Sequence, residues 1–114
     1  MTDCIFCKIV AGDIPADLVY EGERVIAFRD VNPQAPTHIQ IIPREHVARI
    51  DAFDAGRDTA WLVELFQAAK KIAEDEGLDK GFRLVINNGA LAGQSVLHVH
   101  LHILGGRGLS WPPG

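Results

Sequence analysis

Apolar positions along this chain recur at two periods: every second residue in several short stretches, and every third or fourth in one long stretch. "IFCKIVAG" predicts a short helix stopped by Gly12, with Pro15 preventing its continuation. "LVYEGERVIAFRD" holds two strand-like segments around Glu21-Gly22-Glu23, the pattern of a hairpin. His38–Pro43, "HIQIIP", is a third strand, preceded by the stiff connector "NPQAPT" with Pro33 and Pro36. In "DTAWLVELFQAAKKIAEDEG", Trp61 or Leu62, Leu65, Phe66, Ala69, Ile72 and Ala73 fall at helical spacing, with Asp58 as the expected N-cap and Gly77 beyond the end. "RLVINN" and "VLHVHLHIL" supply two more strands, separated by the loop "GALAGQS". Short connections favour antiparallel pairing. The expected fold is therefore α+β, an antiparallel five-stranded sheet with one long helix on a face and a short N-terminal helix, all in one domain, residues 1–114.

Composition narrows the function classes. Apolar residues at 47% and charged residues at 23% are ordinary globular usage, and the apolar runs are too short to span a bilayer, so neither a disordered chain nor a membrane protein is expected. A net charge of −4 argues against binding nucleic acid, which needs excess Lys and Arg to displace counterions. No charged stretch followed by an apolar one opens the chain, so the expected compartment is the cytoplasm. There, Cys4 and Cys7, in a C-x-x-C, read as a metal-binding or redox pair rather than a disulfide.

The chemistry concentrates in "SVLHVHLHILGG". In a strand, His98, His100 and His102 share one face, and Leu97, Val99, Leu101 and Ile103 share the core-facing other, leaving the imidazoles in a cleft or in solvent. Successive histidines then lie roughly 6–7 Å apart, near enough for one ligand to touch all three. Such a row suits metal ligation, or nucleophilic catalysis with one imidazole attacking and its neighbours holding the developing charge. The strand alone does not separate these two readings. The loop "NNGALAGQS" feeding into it offers backbone N–H groups and Ser95 as an anion-binding concavity, which favours a phosphate site. His38 is a fourth imidazole able to join.

"HVHLHIL", together with "AFRDVNPQAPTHIQIIP", "GFRLVINNG", "GQSVLHVHLHILGGR" and the terminal "WPPG", resembles the histidine triad family over nearly the full chain, in its nucleotide-binding branch. The resemblance implies a nucleotidyl hydrolase or transferase that acts on the α-phosphate of a nucleoside monophosphate ester, amide or anhydride. For this branch it implies purine nucleoside phosphoramidates, such as adenosine 5′-phosphoramidate and aminoacyl-adenylate-like compounds. His100 is the implied nucleophile, forming a nucleotidyl-histidine intermediate, its other ring nitrogen held by the His98 carbonyl. His102 and His38 are implied phosphate contacts, with Gly93, Gln94 and Ser95 supplying donors and Asn87 a further polar contact. Asp30 is the implied acceptor for the ribose hydroxyls, and Phe6, Ile9, Phe28 and Val31 match the base pocket. A homodimer is implied as well, its two sheets joined and the long helix at the interface, with Trp111 reaching the partner's site.

Some bacterial members of the family hold a structural zinc with a Cys-Cys-His-His set. Here that implies Cys4, Cys7, His46 and His98 as a closed, non-catalytic centre, with no cofactor for the chemistry itself. Competing expectations are hydrolysis of dinucleoside polyphosphates, nucleotide transfer to a sugar phosphate, a metalloenzyme with zinc on His98, His100 and His102, and a nucleotide-binding regulatory protein.

Overall fold

The computed structural model describes residues 3–114. A first helix, α1 (Ile5–Ala11), begins at Cys4, whose Sγ accepts the Cys7 N–H, and ends at Gly12. Gly12 stands at φ +81°, where a side chain would be strained, and its N–H returns to the Ile9 carbonyl. The predicted hairpin is β1 (Leu18–Glu21) and β2 (Val25–Arg29), followed by β3 (Thr37–Pro43), the long helix α2 (Ala55–Asp75), β4 (Phe82–Ile86) and β5 (Leu101–Gly105). The strands form one sheet in the order β1-β2-β3-β5-β4, every pair antiparallel. This is the expected α+β, five-stranded architecture. Among the described residues, no helix is long and apolar enough to cross a membrane.

Strand alternation gives the sheet two different faces. Val25 and Ala27, Ile39 and Ile41, and Leu101 and Ile103 point to one side, where Trp61, Leu65, Ala69 and Ile72 of α2 complete the main core. The residues between them point to the other side. There Ile26, Phe28 and Ile42 pack under Cys4 and Phe6 of the α1 segment, and the register aligns Phe28, Gln40, His102 and Val85 in one row across four strands. Two side chains brace the layers: Glu64 of α2 accepts the Arg24 and Val25 N–H groups, and Arg29 at the end of β2 makes a bidentate pair with Glu76 just past α2.

Three sequence-based boundaries are corrected. The cap of α2 is Asp54, which accepts the Arg57 N–H; Asp58 lies inside the first turn, fully buried. There it accepts bonds from the Asp54 N–H, the Arg57 guanidinium and the Trp61 indole N–H, an arrangement that holds its carboxyl well below the usual carboxylate range, the Arg57 bond contributing most. The fourth strand stops at Ile86 instead of including both asparagines. The last strand begins at Leu101, leaving 96–100 outside the ladder. Continuing the β3–β5 register would set Val99 against Pro43, and proline has no N–H to give. The Val99 N–H bonds to the Val47 carbonyl instead, at 2.8 Å. Leu97 is correspondingly exposed, not buried with Val99 and Leu101 as the alternation predicted.

Leu65 is the fully buried contact at the centre of the α2–sheet layer. Leu65→Ala is expected to lower unfolding stability by about 2–5 kcal/mol, read as a reduced urea midpoint at unchanged slope.

Candidate active site and adjoining metal-ligand cluster

The bend before β5 gives the three triad histidines three different surroundings. His100 is buried, and its Nδ1 lies 2.7 Å from the His98 carbonyl oxygen. A carbonyl can only accept, so Nδ1 carries the proton and Nε2 keeps its lone pair. Phe6 packs edge-on against this ring at 5.2 Å between centroids. His102 follows on β5, its ring 5.0 Å from that of His100.

His38 stands on β3 beside His102, and the chain of donors fixes both tautomers. The Gln34 N–H donates to His38 Nδ1 at 3.0 Å, which puts the His38 proton on Nε2. That Nε2–H donates to His102 Nδ1 at 2.9 Å, with Asp30 Oδ2 3.3 Å from the same nitrogen. His102 therefore keeps its own proton on Nε2, as a donor. Burial pushes the His102 pKa down to about 4, helped by the neighbouring His100 and His38, and burial also lowers His38 against the opposing pull of Asp30. Asp30 is held on both sides, Oδ1 accepting the Asn32 N–H and Oδ2 the Gln40 side-chain amide at 2.8 Å. With its amide turned to the carboxylate, Gln40 Oε1 is left buried without a partner among the described residues. Gln40 was missed in the sequence, although its position two residues after His38 on the same strand places it on that face.

His98 is fully buried and turned away from this group. Its Nε2–H donates to the Pro43 carbonyl at 2.9 Å, so the Nδ1 lone pair faces Cys4 Sγ at 3.4 Å, Cys7 Sγ at 3.6 Å and His46 Nδ1 at 3.3 Å. Cys7 Sγ is 3.2 Å from His46 Nδ1, and all four donor atoms lie within 4.8 Å of one another. A tetrahedral zinc ion with bonds of about 2.3 Å to sulfur and about 2.0–2.1 Å to nitrogen needs edges of about 3.3–3.8 Å, which these separations approach. Two thiols, which would give up their protons to a cation, and the His98 Nδ1 lone pair converge with His46 Nδ1, a donor set that suits zinc. Burial first, then the Cys4 thiol, raises the Cys7 pKa, and burial holds His98 down to about 4. The His98–Pro43 bond is the outer-shell contact that fixes a ligating imidazole.

These tautomers bear on the other metal readings. His98 Nδ1 faces the cysteines while His100 Nδ1 faces a carbonyl, so the triad does not converge on one ion as the metalloenzyme expectation required. Asp30, His38 and His102 do approach within 4.8 Å. The His38 nitrogen facing that cluster carries the proton, however, because Gln34 occupies the other.

The remaining predicted positions divide. Phe6 and Phe28 are buried in contact, 5.5 Å between ring centroids, and Ile9 is half-buried in the same apolar group, consistent with one wall of a groove. Val31 is fully exposed and walls nothing in this chain. In the loop, Gly93 takes a left-handed conformation with its N–H on the Ala90 carbonyl, and the Gln94 N–H is spent on the Gly89 carbonyl. The Gln94 side chain is a brace rather than the expected phosphate donor: it accepts the Gly89 N–H and donates to the Ala48 and Val96 carbonyls. Ser95 remains exposed, Asn87 is half-buried just past β4, and Trp111 is 80% exposed.

With this geometry in view, the chain's likeness to known proteins is informative. Residues 11–109 match the HIT domain family. An uncharacterized HIT-like protein of Synechocystis is 53% identical over 98% of this chain and 97% of its own length. A 14 kDa zinc-binding protein of Brassica juncea is 48% identical over 98% of this chain and 100% of its own. The crystal structure of a HIT family hydrolase from Legionella pneumophila superposes with a TM-score of 0.95 at 50% identity, covering 98% of this chain and 100% of that one.

His102 yields a pH prediction. Its folded pKa of about 4 lies below the ordinary 6.5, so between these values the unfolded chain binds a proton that the folded chain refuses. Stability is expected to be complete above pH 6.5 and to fall as the pH drops toward 4, and the slope should flatten in His102→Asn when urea midpoints are compared across that window.

Proposed function

Because the chain belongs to the HIT domain family, we propose that it is a purine nucleoside phosphoramidase, a nucleotidyl hydrolase that releases a nucleoside monophosphate through a covalent histidine intermediate. The observation that carries this reading is the 2.7 Å bond from His100 Nδ1–H to the His98 carbonyl, which leaves His100 Nε2 as a neutral, oriented nucleophile. Hydrolase chemistry in the family is represented by the Legionella relative. In this scheme Nε2 attacks the α-phosphorus in line, the phosphorus–nitrogen bond breaks and the amine departs with a proton taken from solvent. Water then cleaves the nucleotidyl-histidine, regenerating the free imidazole. His102, neutral and donating from Nε2, and Ser95 would hold the phosphoryl oxygens, with His38 setting the His102 tautomer. Asp30, already aimed by Gln40 and Asn32, would take the ribose hydroxyls, and Phe6, Ile9 and Phe28 would receive the purine.

The Cys4–Cys7–His46–His98 set would hold zinc as a structural ion, a reading supported by its donor separations and by the zinc-binding Brassica relative. When bound, zinc would supply folding energy, and no step of the reaction passes through it.

We also propose a homodimer. Among the described residues β4 is a free sheet edge, and beside it Phe66, Ala69, Ala73, Leu78, Phe82 and Leu84 line an apolar groove of about 560 Å³, away from the histidines. Joining two sheets along β4 would cover both. Sedimentation at micromolar concentration is expected to give twice the chain mass, and Phe66→Asp to give the monomer.

The function is tested by release of adenosine monophosphate from adenosine 5′-phosphoramidate. His100→Ala is expected to lower turnover by roughly 10³-fold or more, while the chelated parent, whose nucleophile is intact, stays well above that variant. Full activity kept in His100→Ala would overturn the covalent mechanism.

A further inference from the structure

The nucleophile and the metal-ligand cluster share parts that the reaction does not require them to share. His98 belongs to both, its ring nitrogen in the cluster and its carbonyl on His100. Phe6 is the second bridge. It lies on α1 between the ligands Cys4 and Cys7, and its ring packs edge-on against His98 at 5.9 Å, His100 at 5.2 Å and Phe28 at 5.5 Å. α1 has seven residues, too few for a helix to persist by its own hydrogen bonds. Its attachment to the sheet is the small apolar group around Phe6 together with the two thiols that face His46 and His98. Without a cation, only weak S–H···N contacts of 3.2–3.6 Å join those thiols to the imidazoles, and the attachment lacks the metal–ligand bonds that would draw its parts together.

We propose that the Cys4–Cys7–His46–His98 centre is a positioning device for the nucleotide site: metal bound there fixes α1, and through Phe6 and His98 it sets the His100 ring and one wall of the base groove. This rests on the nucleotide reading above. The four ligands act here as positioning residues, through His100 and through Phe6, which itself meets the purine in that reading.

The consequence separates from plain stabilisation. A metal that only held the fold together would leave the nucleotide affinity of a folded, metal-free chain unchanged. A positioning metal changes it, and the change runs through Phe6.

The test compares zinc-loaded protein, protein stripped by chelation, and zinc-loaded Phe6→Ala. Adenosine monophosphate affinity is measured by calorimetry, amide exchange over residues 4–12 by mass spectrometry, and the His100 Nδ1–H signal by nitrogen-15 NMR. Stripping is expected to weaken the affinity about tenfold, in the range of one edge-on aromatic contact. It should also raise exchange in α1 and broaden the His100 signal while the sheet amides stay protected, and retitration with zinc alone should restore all three. Phe6→Ala should show the affinity loss with zinc present, and stripping it should add little, since both changes remove one coupling. Equal affinity and an unchanged His100 signal in loaded and stripped folded protein would overturn the proposal. If stripping unfolds the chain, the His100 signal of loaded Phe6→Ala decides: an unchanged signal overturns it, and a broadened one supports it. Failure of the loaded parent to bind adenosine monophosphate would sink the nucleotide reading instead, with the positioning claim still decided by the exchange and NMR readouts.

Discussion

The site depends on the hydrogen bond that the His100 ring gives to the His98 backbone, because that bond decides which nitrogen of the central imidazole keeps its lone pair. It is a contact to main chain, two residues back, and needs the backbone at 98 to turn its carbonyl inward. The Val99 N–H on the Val47 carbonyl and the His98 N–H on the Val96 carbonyl hold that turn. Around it, neighbouring imidazoles are settled one after another by groups that can act in one sense only. The Gln34 amide N–H can only donate to His38, and the Pro43 carbonyl can only accept from His98. Backbone groups therefore assign the protonation pattern, and the side chains inherit it.

Packing explains why this can persist at neutral pH. His98 and His38 are buried, and charging either would place a cation against another imidazole in a poorly solvated layer. The apolar face of the sheet, filled by α2, supplies the rigidity. The opposite face can then carry histidines, an aspartate and a glutamine amide at modest cost, since nearly every polar atom there has a partner.

Much of this was legible in the sequence. Period-two and period-3.6 patterns recovered all five strands and both helices, because those signals arise from neighbours along the chain. The family resemblance implies Cys4, Cys7, His46 and His98 as one set and the fold brings them together, while Asp30, expected as the ribose acceptor, also meets His38 and His102. What escaped was decided across the fold. Asp58 reads as the cap by sequence, and only the Arg57 and Trp61 side chains that the fold brings to it claim it for the helix interior. Gln94 reads as a phosphate donor until Ala48, far away in the chain, takes its amide. The start of β5 was misplaced because its stop signal sits in a different strand.

That stop signal reaches beyond secondary structure. Pro43 withholds one N–H from the β5 side of β3, and its carbonyl, with no ladder partner there, goes to the His98 ring. With the ladder continued to residue 98, the alternation would set three equivalent imidazoles in a single line. The missing proton breaks that equivalence: His102 meets His38, His100 meets the His98 carbonyl, and the His98 ring, held by Pro43, faces the cysteines. A division of labour between chemistry and architecture, within five consecutive residues, thus traces to an atom absent from the neighbouring strand.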